Sequence, residues 1–171
     1  MTIEEAIKTA IVYEKKVYET YLSAAKRAED ATAKKVFLTL GEEERGHITY
    51  LESRLMEWQK DGQLSNEKLR TILPSSERIK AGVQRLRSQV AQRKGNHAAE
   101  LDSLRQALAA EDETSAFYRR MVSELPEEGQ NLFSRFLEIE DGHAAIVQAE
   151  MDSVNQSGFW FDVKEFDLEL G

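Results

Sequence analysis

The sequence predicts an all-α protein: four long amphipathic helices paired as two antiparallel hairpins, joined by a long crossover and followed by an extended tail. Three observations carry this. Only Pro74 and Pro126 interrupt 171 residues rich in Ala, Glu, Leu, Lys and Arg, the strong helix formers. Apolar residues recur at helical spacing in four long segments. The two halves also repeat each other. Glu14/Glu111 and Tyr21/Tyr118 are 97 residues apart, and Phe37/Phe133, Glu44/Glu140 and His47/His143 are 96 apart. An offset held so closely predicts a pseudo-two-fold four-helix bundle.

The first helix spans about residues 2–29, with Ile3, Ile7, Ala10, Ile11, Val17, Tyr21, Ala24 and Ala28 inward. A short break at Glu29–Thr32 turns the chain into a second helix ending near Lys60, lined by Val36, Phe37, Leu40, Ile48, Leu51, Leu55 and Trp58. Together they make a hairpin over residues 2–60. Residues 61–96 read as a partly helical crossover. Asp61-Gly62 stops the second helix, Ser65–Leu73 reads as a short helix halted at Pro74, and Ser75-Ser76-Glu77 caps a basic helix running to about Lys94. A third helix over about 97–125 and a fourth over about 127–156, opened by Pro126, form the second hairpin, residues 97–156. Hairpins and crossover make one domain, residues 1–156. The tail, residues 157–171, carries Phe159, Trp160, Phe161, Phe166, Leu168 and Leu170. It is too apolar to stand free in water, so it is expected to pack on the bundle or on a second copy. The latter predicts a homodimer or higher homo-oligomer.

Composition removes several classes of function. A net charge of −8 and a pI near 5.1 argue against nucleic acid as a partner, because phosphate binding needs a basic surface. The absence of cysteine rules out disulfides, thiol catalysis, iron–sulfur clusters and thiolate-bound zinc or iron in this chain. No apolar run approaches the roughly 18 residues of a membrane span. The start, Met1-Thr2-Ile3-Glu4-Glu5, lacks the basic and apolar regions of a secretory signal, and a cytoplasmic location is expected.

Ionisable residues interrupt all four apolar stripes. Glu14 lies in the first, Glu44 and His47 in the second, Glu111 in the third, Glu140 and His143 in the fourth. Each Glu-x-x-His pair shares one helix face. Counted from the turns at Ala31 and Pro126, all six lie 13 to 17 residues away. At about 1.5 Å per residue they fall within one helical turn of a common level. Four buried carboxylates repel each other and are expensive to desolvate. Two divalent cations remove both problems, and oxygen with imidazole donors suits iron or manganese.

These residues resemble the rubrerythrin-like branch of the ferritin-like superfamily. The resemblance rests on Glu14 with Tyr21, Glu44-Arg45-Gly46-His47, Glu111 with Tyr118, and Glu140-Asp141-Gly142-His143, and it covers both hairpins. It implies two iron ions, with manganese or zinc as substitutes, bridged by Glu44 and Glu140 and held terminally by Glu14 and Glu111. It also implies reaction with hydrogen peroxide or dioxygen as Fe(II) is oxidised. Tyr21 and Tyr118, two turns after their glutamates, are expected to hydrogen-bond ligand carboxylates. Typical rubrerythrins append a cysteine-bearing rubredoxin domain; this chain has no cysteine, so a separate electron-donor protein is implied. Thr114 stands where that branch carries a further glutamate, leaving a six-ligand set like that of bacterioferritin. The competing readings are an iron-storing ferritin-like cage, a quinone-type hydroxylase, and a helical interaction module stabilised by metal.

The remaining polar features read more plainly. Glu42, Glu43, Glu127 and Glu128 are expected to be solvated charges, and His97 a surface residue. Arg78, Lys80, Arg85, Arg87, Arg93 and Lys94 read as a solvated basic face or a site of intersubunit pairing, with docking of an acidic electron donor as the sharper alternative. Gly46 and Gly142 each precede a site histidine, as close-approach positions or as an accident of the repeat.

Overall fold

Helix α1 (Ile3–Arg27) starts at a reciprocal cap: Thr2 accepts from Glu5 N–H, and the Glu5 carboxylate accepts from Thr2 N–H. Asp30 caps α2 (Ala31–Asp61) by accepting from the amides of Thr32 and Ala33. Gly62 ends α2 in the left-handed region, φ 64°, where a Cβ would be strained. Ser75 caps α3 (Ser76–Leu86). Then come α4 (Ala98–Glu124) and α5 (Glu127–Ser157), the latter ended by left-handed Gly158, φ 69°. This computed structural model describes residues 1–87, 95–163 and 165. Among them there are five helices and no strand.

Helices α1 and α2 pack along each other, as do α4 and α5; α1 also packs on α4, and α3 lies on α5. Two apolar clusters fill the interior. One gathers Val17, Tyr21, Phe37, Leu40, Leu104, Ile146, Val147 and Trp160. The other gathers Ile7, Leu51, Phe117, Tyr118, Met121, Phe133 and Phe136. On each of the four long helices the two clusters meet at the ionisable residues: at Glu14, at Glu44 and His47, at Glu111, and at Glu140 and His143. A polar layer therefore divides the core.

One expectation needs correction. Ser65–Leu73 is not helical. Its Leu69 and Leu73 are buried at helical spacing, but bundle side chains take up the backbone groups instead. Tyr50 Oη donates to Glu67 O, Arg135 Nε to Leu69 O, and Glu43 accepts from Ile72 N–H. With these groups satisfied, an extended path competes with the helix. Of the two packing partners expected for the tail, Trp160 and Phe161 take their own bundle. Trp160 Nε1 donates to Glu100 Oε2 and Phe161 N to Glu150 Oε2. Phe166, Leu168 and Leu170 lie outside the described residues, as do Arg93, Lys94 and the predicted end of the basic helix. Arg78, Lys80, Arg85 and Arg87 lie on exposed positions.

Candidate metal centre

Each of the six predicted donors is at most 1% exposed. They form two four-residue groups: Glu14, Glu44, His47 and Glu140; and Glu44, Glu111, Glu140 and His143. Within each, one donor atom per residue lies within 4.8 Å of all the others. Metal–oxygen bonds of about 2.0–2.2 Å place donors on opposite sides of an ion about 4.2 Å apart, so each group needs only slight contraction to hold a cation. Glu44 and Glu140 belong to both groups.

Both imidazoles turn Nδ1 toward the carboxylates. His47 Nδ1 lies 3.2 Å from Glu14 Oε2, 3.2 Å from Glu44 Oε2 and 3.0 Å from Glu140 Oε1. His143 Nδ1 lies 2.6 Å from Glu44 Oε1, with Glu140 and Glu111 oxygens at 3.6 and 3.7 Å. The rings stack nearly parallel, 6° apart, with centroids at 5.3 Å. The pseudo-two-fold also crosses over the tyrosines: Tyr21 on α1 donates to Glu111 on α4, and Tyr118 on α4 donates to Glu14 on α1. Each tyrosine thus holds the glutamate of the other hairpin.

This layer is polar without being satisfied. Glu44 Oε2, Glu111 Oε2, both Glu140 oxygens and both Nε2 atoms are buried without a hydrogen-bond partner. The His47 Nδ1–Glu140 Oε1 approach is close but lacks hydrogen-bond angles. Orphaned buried carboxylate oxygens are strongly unfavourable, and cation ligation satisfies them. The donor set therefore fits a metal.

The protonation pattern follows from the same geometry. Burial, then repulsion from Glu140 and Glu44, raises Glu14 and Glu111 well above the carboxylate range. Burial pushes Glu44 and Glu140 up, and the Glu140 charge adds to this at Glu44, but the two imidazoles outweigh them, bringing Glu44 to about 2 and Glu140 well below its ordinary value. Burial opposes charge on His47 and His143, yet the facing carboxylates raise both well above the imidazole range. In the metal-free layer these shifts favour ionised Glu44 and Glu140, protonated Glu14 and Glu111, and charged imidazoles. Burial and the adjacent glutamates raise both tyrosines, so they stay protonated donors.

Glu43 was expected to be a solvated charge and is not. Its side chain is only 10% exposed; Oε2 lies 3.7 Å from His143 Nε2 and accepts from Thr71 Oγ1 at 2.5 Å. It forms a further candidate ligand group with the two histidines. No local pattern marks it, because the histidine it faces belongs to the other hairpin. Glu42 is exposed and bonded to Arg45, and Glu127 is exposed. Glu128 is half-buried and accepts from Leu64 N–H. His97 is half-buried, with Nδ1 3.9 Å from buried Glu100 and its Nε2 without a hydrogen-bond partner. Glu100 accepts from the amides of Glu29 and Asp30; its spacing to Leu104, Ala107 and Glu111 was the legible sign that it faces the core. Thr114 is buried and bonds back to Ala110 O, while Glu113 is exposed and paired with Lys16. A Cβ on Gly142 would meet the Pro74 carbonyl at 3.3 Å; one on Gly46 would meet nothing.

Among known protein families, curated proteins and solved structures, the chain has no match. The functional reading therefore rests on the chemistry of this layer. Among the described residues, no helix is long and apolar enough to cross a membrane.

Proposed function

We propose that this chain is a ferritin-like di-iron protein of the rubrerythrin-like branch that reduces hydrogen peroxide or dioxygen as its iron is oxidised. The observation that carries the reading is that two four-donor groups share Glu44 and Glu140. Glu14 and His47 complete one cation position, and Glu111 and His143 complete the other. Four carboxylate charges match two divalent ions. Oxygen and nitrogen donors suit iron or manganese, whereas zinc would fill the positions without redox activity.

Bound there, two ferrous ions supply the two electrons that, with two protons, take one hydrogen peroxide to two waters. The chain's own residues set the conditions. Tyr118 and Tyr21 hold the terminal carboxylates of Glu14 and Glu111 and keep their orientation as charge at the centre changes. The apolar clusters above and below exclude water and strengthen each electrostatic contact. The burial of the donors favours a small oxidant over a bulky organic substrate. Two surface grooves flank the bundle, and neither is lined by any of the six donors. Residues 1–171 contain no cysteine, so re-reduction draws on an electron donor outside them.

The test is single turnover. Anaerobic protein loaded with two Fe(II) per chain is mixed with peroxide, and then with dioxygen, while ferric absorbance is followed. The reading predicts oxidation much faster than that of free Fe(II), and its loss in Glu44→Ala. Oxidation no faster than in buffer would leave a metal-stabilised helical module. A particle far larger than a dimer would favour iron storage.

A further inference from the structure

The two ligand sets are copies of one another, but their surroundings are not. We propose that the two cation positions are inequivalent, and that Glu43 is a positioning residue that makes the His143 position the stronger binder. This rests on the di-metal reading above.

Both histidines present Nδ1 to the carboxylates. A cation on Nδ1 leaves the ring proton on Nε2, where a buried N–H needs an acceptor. An acceptor there fixes the ring and raises the basicity of the ligating nitrogen. Both Nε2 atoms are buried and without a hydrogen-bond partner. Glu43 Oε2 stands 3.7 Å from His143 Nε2, so a shift of about 0.8 Å brings it to ordinary hydrogen-bond length. Glu43 lies within 4.8 Å of a His47 nitrogen as well, but farther than from His143.

The repeat supplies no equivalent for His47. The residue 96 positions after Glu43 is Ile139, apolar and buried. The His47 ring instead meets the edge of Phe136, centroids 5.5 Å apart. Glu43 is itself anchored: Thr71 Oγ1 and the Ile72 amide both donate to its carboxylate. The crossover thereby supports one imidazole of the site and not the other. Glu43 also borders a surface groove with Lys35, Leu38 and Ile72, placing it between solvent and the buried donors.

The experiment is an anaerobic Co(II) titration of the full chain, read by the d–d absorption of bound cobalt. Circular dichroism confirms that each variant is folded. Wild type is expected to fill in two resolved steps, with His143→Ala removing the tighter one. Glu43→Ala should weaken the tighter step about 10–100-fold, the range for loss of such a hydrogen-bonding carboxylate, while keeping two ions at saturation. Glu43→Gln, whose amide oxygen still accepts from Nε2–H, should recover most of that affinity. Exposed Glu42→Ala should match wild type. The inference is overturned if Glu43→Ala titrates like wild type, if only the weaker step changes, or if a whole equivalent disappears, which would make Glu43 a ligand. Wild type that takes up no Co(II) removes both this inference and the reading beneath it. Two ions in wild type with an indifferent Glu43 removes this inference alone.

Discussion

Burial and the close approach of like and unlike charges set which groups of the polar layer favour their protons in the metal-free protein, and that bears on how cations bind. Glu14 and Glu111 are raised by burial and like charge, and His47 and His143 are raised by the carboxylates they face. These shifts favour the protonated form of all four groups, whereas a ligated carboxylate or Nδ1 cannot keep its proton. Filling both positions should therefore release protons. The sign is fixed: affinity rises with pH and falls as these groups are protonated. Calorimetric titration in buffers of different ionisation enthalpy measures the number. Uptake without proton release would contradict this protonation pattern. Glu44→Ala or Glu140→Ala removes a donor common to both groups and should abolish two-metal binding, whereas Glu42→Ala should leave it intact. Metal analysis of the purified variants checks this. The six donors were legible in the sequence because each lies on an apolar stripe and the repeat supplies the pairing. Glu43 was not, because its contacts with His143, Thr71 and Ile72 join segments that no local period relates.

The helices carry a second pair of buried ionisable residues that follows the same repeat. Arg54 and Glu150 each lie seven residues after a site histidine, and each holds the segment that follows its helix. Arg54 bonds Ser65 and pairs with Glu67 in the crossover, while Glu150 accepts from the Phe161 amide in the tail. Arg54→Ala should destabilise the protein by about 1–3 kcal/mol through lost charged hydrogen bonds, measured by denaturant unfolding; an unchanged midpoint would mean that the crossover is held elsewhere. Glu150 behaves in the opposite sense. Burial raises it well above the carboxylate range, so its contribution is complete below the unfolded value and is lost as pH rises through the folded one. Glu150→Gln keeps the acceptor for Phe161 and removes the ionisation. Its thermal midpoint at neutral pH should equal or exceed wild type, by about 2–4 °C for each kcal/mol recovered in a chain of this size. A lower midpoint would show that the charge itself stabilises the tail. Ends of the long helices were legible from the break at Glu29–Thr32, from Asp61-Gly62 and from Pro126. The failure at Ser65–Leu73 has a physical cause: leucines at i and i+4 look the same whether a helix buries them or an extended strap does, and only the tertiary partners Tyr50, Glu43 and Arg135 decide.

Across the whole molecule, an internally repeated chain builds a core in two apolar halves with one ionisable layer between them. The repeat made the hairpins and the level of that layer readable from residue spacing alone. The asymmetries were less readable, because they come from parts outside the repeat: the crossover packs Pro74 over Gly142 but leaves Gly46 bare, and the tail seals the end of the bundle with Trp160 and Phe161. The activity proposed for this protein depends on that central layer holding a pair of ions. Anomalous diffraction from crystals grown with Mn(II) tests this most directly. The expected map has two peaks, each contacting Glu44 and Glu140, one next to His47 and the other next to His143. A map with no peak inside the bundle, or with manganese only at exposed carboxylates, would contradict it.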